Sequence, residues 1–408
     1  MTFEELNLSQ EIMNAIKRIG FIKPTPIQKS CIPEIKKGRD IVGQSLTGSG
    51  KTAAFGFPIL EKIKPGCGIQ TLILAPTREL AVQVKDHLIS FSSFTKINIT
   101  AVYGGVSLVP QFSAVKRADI VVATPGRMLD HINRRTINLT NVHTLVIDEA
   151  DKMFEMGFIE DVTEIIKCLP EKRQTLLFSA TISSEVRNLI KRYLKDPLFI
   201  KEEIHVNQSL LKQVYYNVVQ NEKFSLLVNL LKKKTPGLAI VFCGTRRQVD
   251  IITKNLKIQG INAMAVHGGL SQNRRSHAVD SLKRENIQVL VATDVAARGL
   301  DINNISHIYN YDSPKTPDEY THRIGRTARA GKSGEAVTLV SERDHANFGH
   351  VMSDRNLNIR KGEMPEFERV RFVLDEQRRD RGGFRQNQDR NGFRHQRSNF
   401  NRGRFQRR

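Results

Sequence analysis

Cysteine is scarce: the chain has four, at positions 31, 67, 168 and 243 of 408 residues, and no two form a CxxC pair. That excludes a disulfide framework and a cysteine-ligated zinc site, and it fits a reducing compartment. No apolar run reaches the roughly 18 residues that a membrane-spanning helix requires. The opening MTFEELNLSQE carries Glu4 and Glu5 and no apolar h-region, so it does not read as a secretory leader. The expectation is a protein of the cytoplasm. Acidic charge is also in deficit, because 42 Asp and Glu face 63 Lys and Arg and leave a net charge of +21. Such an excess points toward polyanions, most often nucleic acid. What is present is enough apolar material for sizeable cores, 39% of all residues, in a length that suits two medium domains with some chain to spare.

The charge is unevenly placed. Residues 375–408 hold 11 arginines, no lysine and 4 acidic residues, a net +7, in a stretch rich in Arg, Asn, Gln and Gly with Phe384, Phe393, Phe400 and Phe405 interspersed. Such a composition cannot build a core, and a disordered basic tail is expected. The first 374 residues keep the other +14 and so carry a basic surface of their own.

Between the start and residue 370, short β-branched runs alternate with helix-compatible stretches. One series lies at 40–43, 71–75, 99–103, 120–123, 144–147 and 175–178, and a second at 239–242, 262–266, 288–292, 307–310 and 336–340. These read as buried parallel strands, and two successive sets imply two doubly wound α/β domains. The strand and helix rhythm breaks near 201–211. The expected division is therefore residues 1–204, a linker at 205–210, a second domain at 211–374 and the tail at 375–408. The halves share a pattern without any fixed-period repeat.

Chemistry enters at residues 45–52, SLTGSGKT, directly after the apolar run 40–43 and before a helix-compatible stretch. Glycines at 48 and 50 let backbone N–H groups turn inward around phosphate oxygens. Lys51 offers a point charge to the β- and γ-phosphates, and the Thr52 hydroxyl suits Mg²⁺. Ser45 stands where the strict phosphate-loop pattern has its first glycine. An ordinary glycine-rich turn is the plain alternative. The second signal is Asp148-Glu149-Ala150-Asp151 at the end of the run 144–147, where ligands bind in open α/β sheets. Asp148 is placed to hold Mg²⁺, and Glu149 to orient or deprotonate an attacking water. An acidic helix start favoured by the macrodipole is the competing explanation for that motif alone.

With these residues in view, the chain resembles the DEAD-box RNA helicases, whose whole motif series is matched in order across roughly residues 3–331. The resemblance implies two tandem RecA-like domains, ATP and Mg²⁺ as the nucleotide and metal, and RNA as the partner. Phe3 and the run Gly20 to Gln28 resemble the adenine-reading element, with Gln28 bonding the base and Phe3 packing on it. Ser45, Thr47, Gly48, Ser49, Gly50, Lys51 and Thr52 would hold the phosphates. Thr77 and Arg78, Gly105, and Thr124, Pro125 and Arg127 are similar to the family's RNA-contacting loops in the first domain. In the second, Gly268 and Arg275 with His267 and Gln272, and Thr293 and Arg298, are similar to its RNA contacts, while Gly299 and Asp301 fall on the nucleotide side. Ser179 and Thr181 of SAT, together with His322, resemble the elements that couple nucleotide to strand separation. HRIGRTAR, residues 322–329, matches the arginine-finger motif, with Arg326 and Arg329 expected at the γ-phosphate. Neither His267 nor His322 has a partner at metal-ligand spacing, so no zinc is expected.

The resemblance implies an ATP-dependent enzyme that unwinds or remodels short RNA duplexes or RNA–protein complexes, held through phosphates and 2′-hydroxyls with little sequence preference. A monomer is the expected state. Two other classes remain open on the sequence: an ATP-gated RNA clamp that scaffolds assembly with little unwinding, and a DNA translocase of the same broad superfamily. Intact Glu149, Arg326 and Arg329 favour the enzyme over the clamp. For the tail, its arginines and phenylalanines suit a tethered, non-specific grip on RNA, against the plainer role of a solvated tail.

Overall fold

A computed structural model describes residues 2–45, 48–202, 211–234, 237–297, 305–328 and 333–374. Two parallel seven-stranded sheets organise them. The first contains β1 (Ile41–Gln44), β2 (Thr71–Leu74), β3 (Ile99–Val102), β4 (Ile120–Ala123), β5 (Thr144–Ile147), β6 (Gln174–Ser179) and β7 (Leu198–Lys201). Its spatial order is β3-β4-β2-β5-β6-β1-β7. The second contains β8 (Leu211–Asn217), β9 (Leu238–Phe242), β10 (Ala263–Val266), β11 (Val289–Ala292), β12 (Ile305–Asn310), β13 (Gly334–Val340) and β14 (Arg360–Lys361), ordered β10-β11-β9-β12-β13-β8-β14. Taken in chain order within each set, the two permutations are the same. The shared pattern of the halves is thus a shared topology, and the RecA-like expectation stands.

Each sheet is covered on both faces because successive residues of its strands point to opposite sides and both sides are apolar. In the first sheet Ile73, Val122, Val146, Leu176 and Phe178 enter one core, while Leu72, Leu74, Val121, Leu145, Ile147 and Leu177 enter the other. The second sheet repeats this with Ile240, Phe242, Leu290 and Ile308 on one side and Val241, Val289, Val291 and Tyr309 on the other. All eleven runs expected as strands are strands. Three more exist. β7 pairs with β1, and its short apolar run of Leu198, Phe199 and Ile200 alternates between half-buried and exposed, while β14 has only two residues. β8 begins at the edge of the expected linker and pairs with β13 along its whole length. The expected linker 205–210 and the tail 375–408 lie outside the described residues.

Apart from the Gly20 to Gln28 element, which precedes β1, the motif loops follow the carboxyl ends of strands. The helices Lys51–Lys62, Arg78–Phe91, Pro125–Asn133 and Ala150–Glu155 follow β1, β2, β4 and β5. In the other half Arg246–Ile258, Gln272–Lys283, Asp294–Ala297 and Pro317–Ile324 follow β9, β10, β11 and β12. That common edge is where open α/β sheets bind ligands.

Candidate functional site

The loop after β1 turns at Gly48 and Gly50, both with positive φ, +88° and +93°. A side chain at Gly50 would collide with the Gln28 amide, so this position needs glycine on two counts. The Gln28 Nε2 donates to the Gly50 carbonyl at 3.1 Å, and its Oε1 accepts from the Thr25 N–H at 3.0 Å. Gln28 therefore locks the start of the helix Pro26–Lys36 and the phosphate loop together. The buried Lys51 donates from Nζ to the Ser45 carbonyl at 3.1 Å, and the hydroxyls of Ser45 and Ser49 are 2.9 Å apart. Phe3 differs from expectation. It is 3% exposed, with Phe21 stacked on it and Phe57 against its edge, so it presents no free face; Phe21, 39% exposed, is the ring that does.

At the end of β5, Asp148 and Glu149 are both buried. Burial pushes the Asp148 carboxyl up to about 6, with Lys51 opposing and Glu149 adding to the rise. Burial acts on Glu149 too, but Lys152, Lys51 and Arg326 outweigh it and hold that carboxyl well below the usual carboxylate range. Glu149 adopts φ +53° as the residue preceding the helix Ala150–Glu155. One turn later Lys152 reaches back, its Nζ 2.7 Å from Glu149 Oε2. Arg326 belongs to the second half, so its charge at Glu149 joins the two halves at this point.

Behind this pair, Asp151 ties the DEAD segment to SAT. Its Oδ2 accepts from the Ala180 N–H, the Thr181 N–H and the Thr181 hydroxyl at 3.0–3.2 Å. The Asp151 N–H donates to Ser179 Oγ, which itself donates to the Thr181 carbonyl. In the second half, Arg323 makes a two-pronged pair with Asp294 at 2.6 and 2.7 Å and donates to Asn310 Oδ1 and the Asp312 carbonyl. Asp294, Phe242, His322, Arg323 and Arg326 line one small pocket.

A cleft of about 490 Å³ crosses between the halves, lined by Thr77, Arg78, Gly104, Thr124, Gly126 and Arg127 from the first and Gly268, Leu270 and Arg275 from the second. Six residues expected to touch RNA thus meet in one place. Glu79 closes one end, 2.9 Å from the Arg275 guanidinium. Arg127 donates to the Val106 carbonyl at 3.2 and 3.3 Å, and Arg78 fills the space beside Gly105, which has φ +78°. Both arginines therefore also hold the loop that carries Gly104 and Gly105.

A family model for DEAD/DEAH box helicases matches residues 25–189, and one for the helicase conserved C-terminal domain matches residues 222–331. A DEAD-box ATP-dependent RNA helicase CshA of Geobacillus kaustophilus is 46% identical over 353 residues, 86% of this chain and 76% of that protein. The chain belongs to the DEAD-box ATP-dependent RNA helicases. The CshA of Bacillus subtilis is likewise 46% identical, over 84% of this chain and 70% of its own. Among solved structures, Saccharomyces cerevisiae Dbp5 bound to RNA and ADP BeF3 is 30% identical with a TM-score of 0.80, covering 88% of this helicase and 95% of Dbp5. A DEAD box protein from Methanococcus jannaschii is 44% identical but superposes less closely, with a TM-score of 0.55 over 89% of this helicase and 99% of that chain. The TM-scores thus do not follow the order of the sequence identities.

Within the helicase, Thr47, Arg298, Gly299, Asp301 and Arg329 lie outside the described residues. His267 is explained without metal, since its Nδ1 accepts from the Gly269 N–H and its Nε2 is 2.9 Å from Asp250 Oδ1. Among the described residues no His, Cys, Asp and Glu cluster could hold a metal by itself. Four side chains escaped the sequence reading: Asp151, Lys152, Arg323 and Glu202. Glu202 follows β7; burial raises its carboxyl overall, with Lys51 and Ser49 opposing. Asp151 and Arg323 lie inside quoted motifs, which was the available signal. Glu202 gave none.

Proposed function

We propose that this helicase binds ATP at the loop after β1, hydrolyses it when Arg326 and Arg329 close on the γ-phosphate, and uses that cycle to open short RNA duplexes or remodel RNA–protein complexes. The observation that carries the reading is the buried Asp148 and Glu149 at the end of β5, in the same half as the loop after β1 with its buried Lys51. Lys51 and the N–H groups of the loop 48–50 would hold the phosphates, with Gln28 and Phe21 on the adenine side. Asp148 and Thr52 fit Mg²⁺: Asp148 Oδ1 is buried and has no hydrogen-bond partner among the described residues, as suits an oxygen reserved for a cation. Bound there, Mg²⁺ would neutralise charge on the β- and γ-phosphate oxygens. Glu149, kept ionised by its cationic neighbours, accepts a hydrogen bond from the attacking water and aims it at the γ-phosphorus. Arg326 and Arg329 then stabilise the negative charge of the transition state, worth roughly 10³- to 10⁵-fold for arginine fingers of GTPases.

RNA would lie in the cleft of Thr77, Arg78, Thr124, Arg127, Gly268 and Arg275, contacted through its backbone and hence with little sequence preference. Asp151, bonded to both Ala180 and Thr181, would pass the state of Glu149 to the loop after β6. The tail 375–408 adds a second, tethered RNA grip. The protein acts as a monomer in the cytoplasm; among the described residues no helix is long and apolar enough to cross a membrane.

Steady-state ATP hydrolysis with and without single-stranded RNA, in the natural chain and in Glu149→Gln, tests the reading. RNA-stimulated turnover that disappears in the variant is expected. RNA binding without any turnover would leave an ATP-gated clamp, and stimulation by DNA alone would overturn the substrate.

A further inference from the structure

Glu79 and Arg275 line two clefts, the one assigned above to RNA and a second of about 490 Å³. That volume lies within the range of small-molecule sites, about 300–1,000 Å³. Val82 and Val106 from the first half and Val266 and Val279 from the second give the second cleft an apolar wall. The half-buried Tyr103 ring lines the same space and is stacked on no other ring among the described residues. Two polar atoms of its lining residues are shielded from solvent and unpartnered. Gln272 Oε1 and Arg275 Nε make no hydrogen bond among the described residues, although the Arg275 guanidinium lies 2.9 Å from Glu79. A buried acceptor and a buried donor left in this way are costly until a ligand supplies their partners. The charge is also unlike that of the RNA cleft. There Arg78, Arg127 and Arg275 outnumber Glu79 and Asp130, whereas in the second cleft Glu79, Asp86 and Asp280 outnumber Arg275 and Lys283. A phosphate is drawn to the first and not to the second.

We infer that the second cleft is a nucleobase pocket, filled by one base of an RNA strand whose backbone lies in the neighbouring cleft. The base stacks on Tyr103 against the valines, and its edge donates to Gln272 Oε1 and accepts from the Arg275 Nε–H. Unstacked bases are bound in this manner, on aromatic rings and through edges that place donors beside acceptors. The strand is the source because the two clefts are continuous through Glu79 and Arg275. The inference rests on the reading of the first cleft as the RNA site. It adds to that sequence-tolerant grip one position at which the base itself is held.

The test uses the shortest single-stranded oligoribonucleotide that binds fully, so that its register is fixed, with a non-hydrolysable ATP analogue present. An abasic residue is placed at each position in turn. One position should lose affinity roughly 5- to 100-fold, the range for base–aromatic stacking. The others should change by no more than about two-fold, because backbone contacts survive the loss of a base. In Tyr103→Leu, and in Ser276→Trp, which fills the pocket from an exposed site on the helix Gln272–Lys283, that position should become as tolerant as its neighbours. In both variants kcat for ATP at saturating RNA should keep its natural value. A scan with no outstanding position would overturn the inference, as would one whose outstanding position persists in both variants. Cytidine binding that Ser276→Trp abolishes, beside a flat scan, would make a free nucleoside the ligand and overturn the strand as its source. Arg78→Ala separates this inference from the reading it rests on. A flat scan beside weakened RNA binding in Arg78→Ala removes the pocket alone, whereas RNA affinity unchanged by Arg78→Ala removes the RNA cleft and the pocket with it.

Discussion

Glu79 and Arg275 meet at 2.9 Å across the cleft, one on a helix of the first half and the other on a helix of the second, and both are largely screened from water at 12% and 15% exposure. The arginine expected to grip RNA is thus also a clasp between the halves. A double-mutant cycle of Glu79→Gln and Arg275→Gln, read on RNA-stimulated kcat/KM for ATP, should give a coupling of about 0.5–3 kcal/mol, the range for residues in direct contact. Additive losses would mean that the clasp does not contribute to the active arrangement.

Gly50 offers a sharper test of the phosphate loop. Its φ of +93° costs an L-residue about 1–2 kcal/mol, and an added Cβ would also meet the Gln28 amide and Thr25 Oγ1. Gly50→Ala should weaken binding of a fluorescent ATP analogue by about tenfold or more, since 1.4 kcal/mol is already a factor of ten. Unchanged affinity in a fluorescence titration would argue that this loop does not hold the nucleotide.

His131 makes stability depend on pH. It is fully buried, its Nδ1 is 2.9 Å from Thr136 Oγ1, and burial followed by the charge of Arg127 lowers its pKa, with Asp130 opposing. The folded chain thus keeps the neutral ring, and the unfolded chain takes up the proton first as pH falls. The stabilisation is complete above the unfolded value of about 6.5 and is lost as pH drops through the lower folded value. His143, lowered by burial and by Lys62, acts in the same direction. The melting temperature should fall below pH 6.5, and His131→Asn should flatten that fall in calorimetry across pH 5–8.

The second half has its own buried ion pair. Lys223 Nζ lies 2.6 Å from Asp344 Oδ2, and Asp344 also accepts from the Ser313 and Ser341 N–H groups and the Ser341 hydroxyl. Lys223→Met leaves that carboxylate uncompensated and should cost about 3–5 kcal/mol in urea unfolding. Pairing it with Asp344→Asn should recover part of the loss. An unshifted unfolding midpoint would show that the network carries little of the fold.

Much of this was legible in the sequence, for identifiable reasons. Strands buried on both faces announce themselves as apolar runs, and eleven did. β7 and β14 did not: β7 is a four-residue strand directly after Asp196-Pro197 whose Phe199 is exposed, and β14 has two residues, both charged. β8 did not either, because Lys212, Gln213 and Asn217 break its apolar series at the point where a linker was expected. The phosphate loop, DEAD, SAT and the HRIGR arginines were readable because their residue types have few other uses in that order. Their partners were not. Nothing in a one-dimensional string says that Asp151 will receive Ala180 and Thr181, that Glu79 will meet Arg275, or that Phe3 will be covered by Phe21 and Phe57. Those relationships arise from which strand ends the topology places side by side.

The matching strand order of the two sheets has a consequence for stoichiometry. β8 occupies the place in its sheet that β1 occupies in the first, so the segment after β8 is the counterpart of the phosphate loop. That segment, residues 218–222, reads VVQNE and contains no glycine with which to wrap a phosphate. One frame has kept a cradle while its twin supplies arginines instead. Under the function proposed above, a titration with a fluorescent ATP analogue should saturate at one nucleotide per chain, and a second equivalent would overturn this reading of the unequal halves.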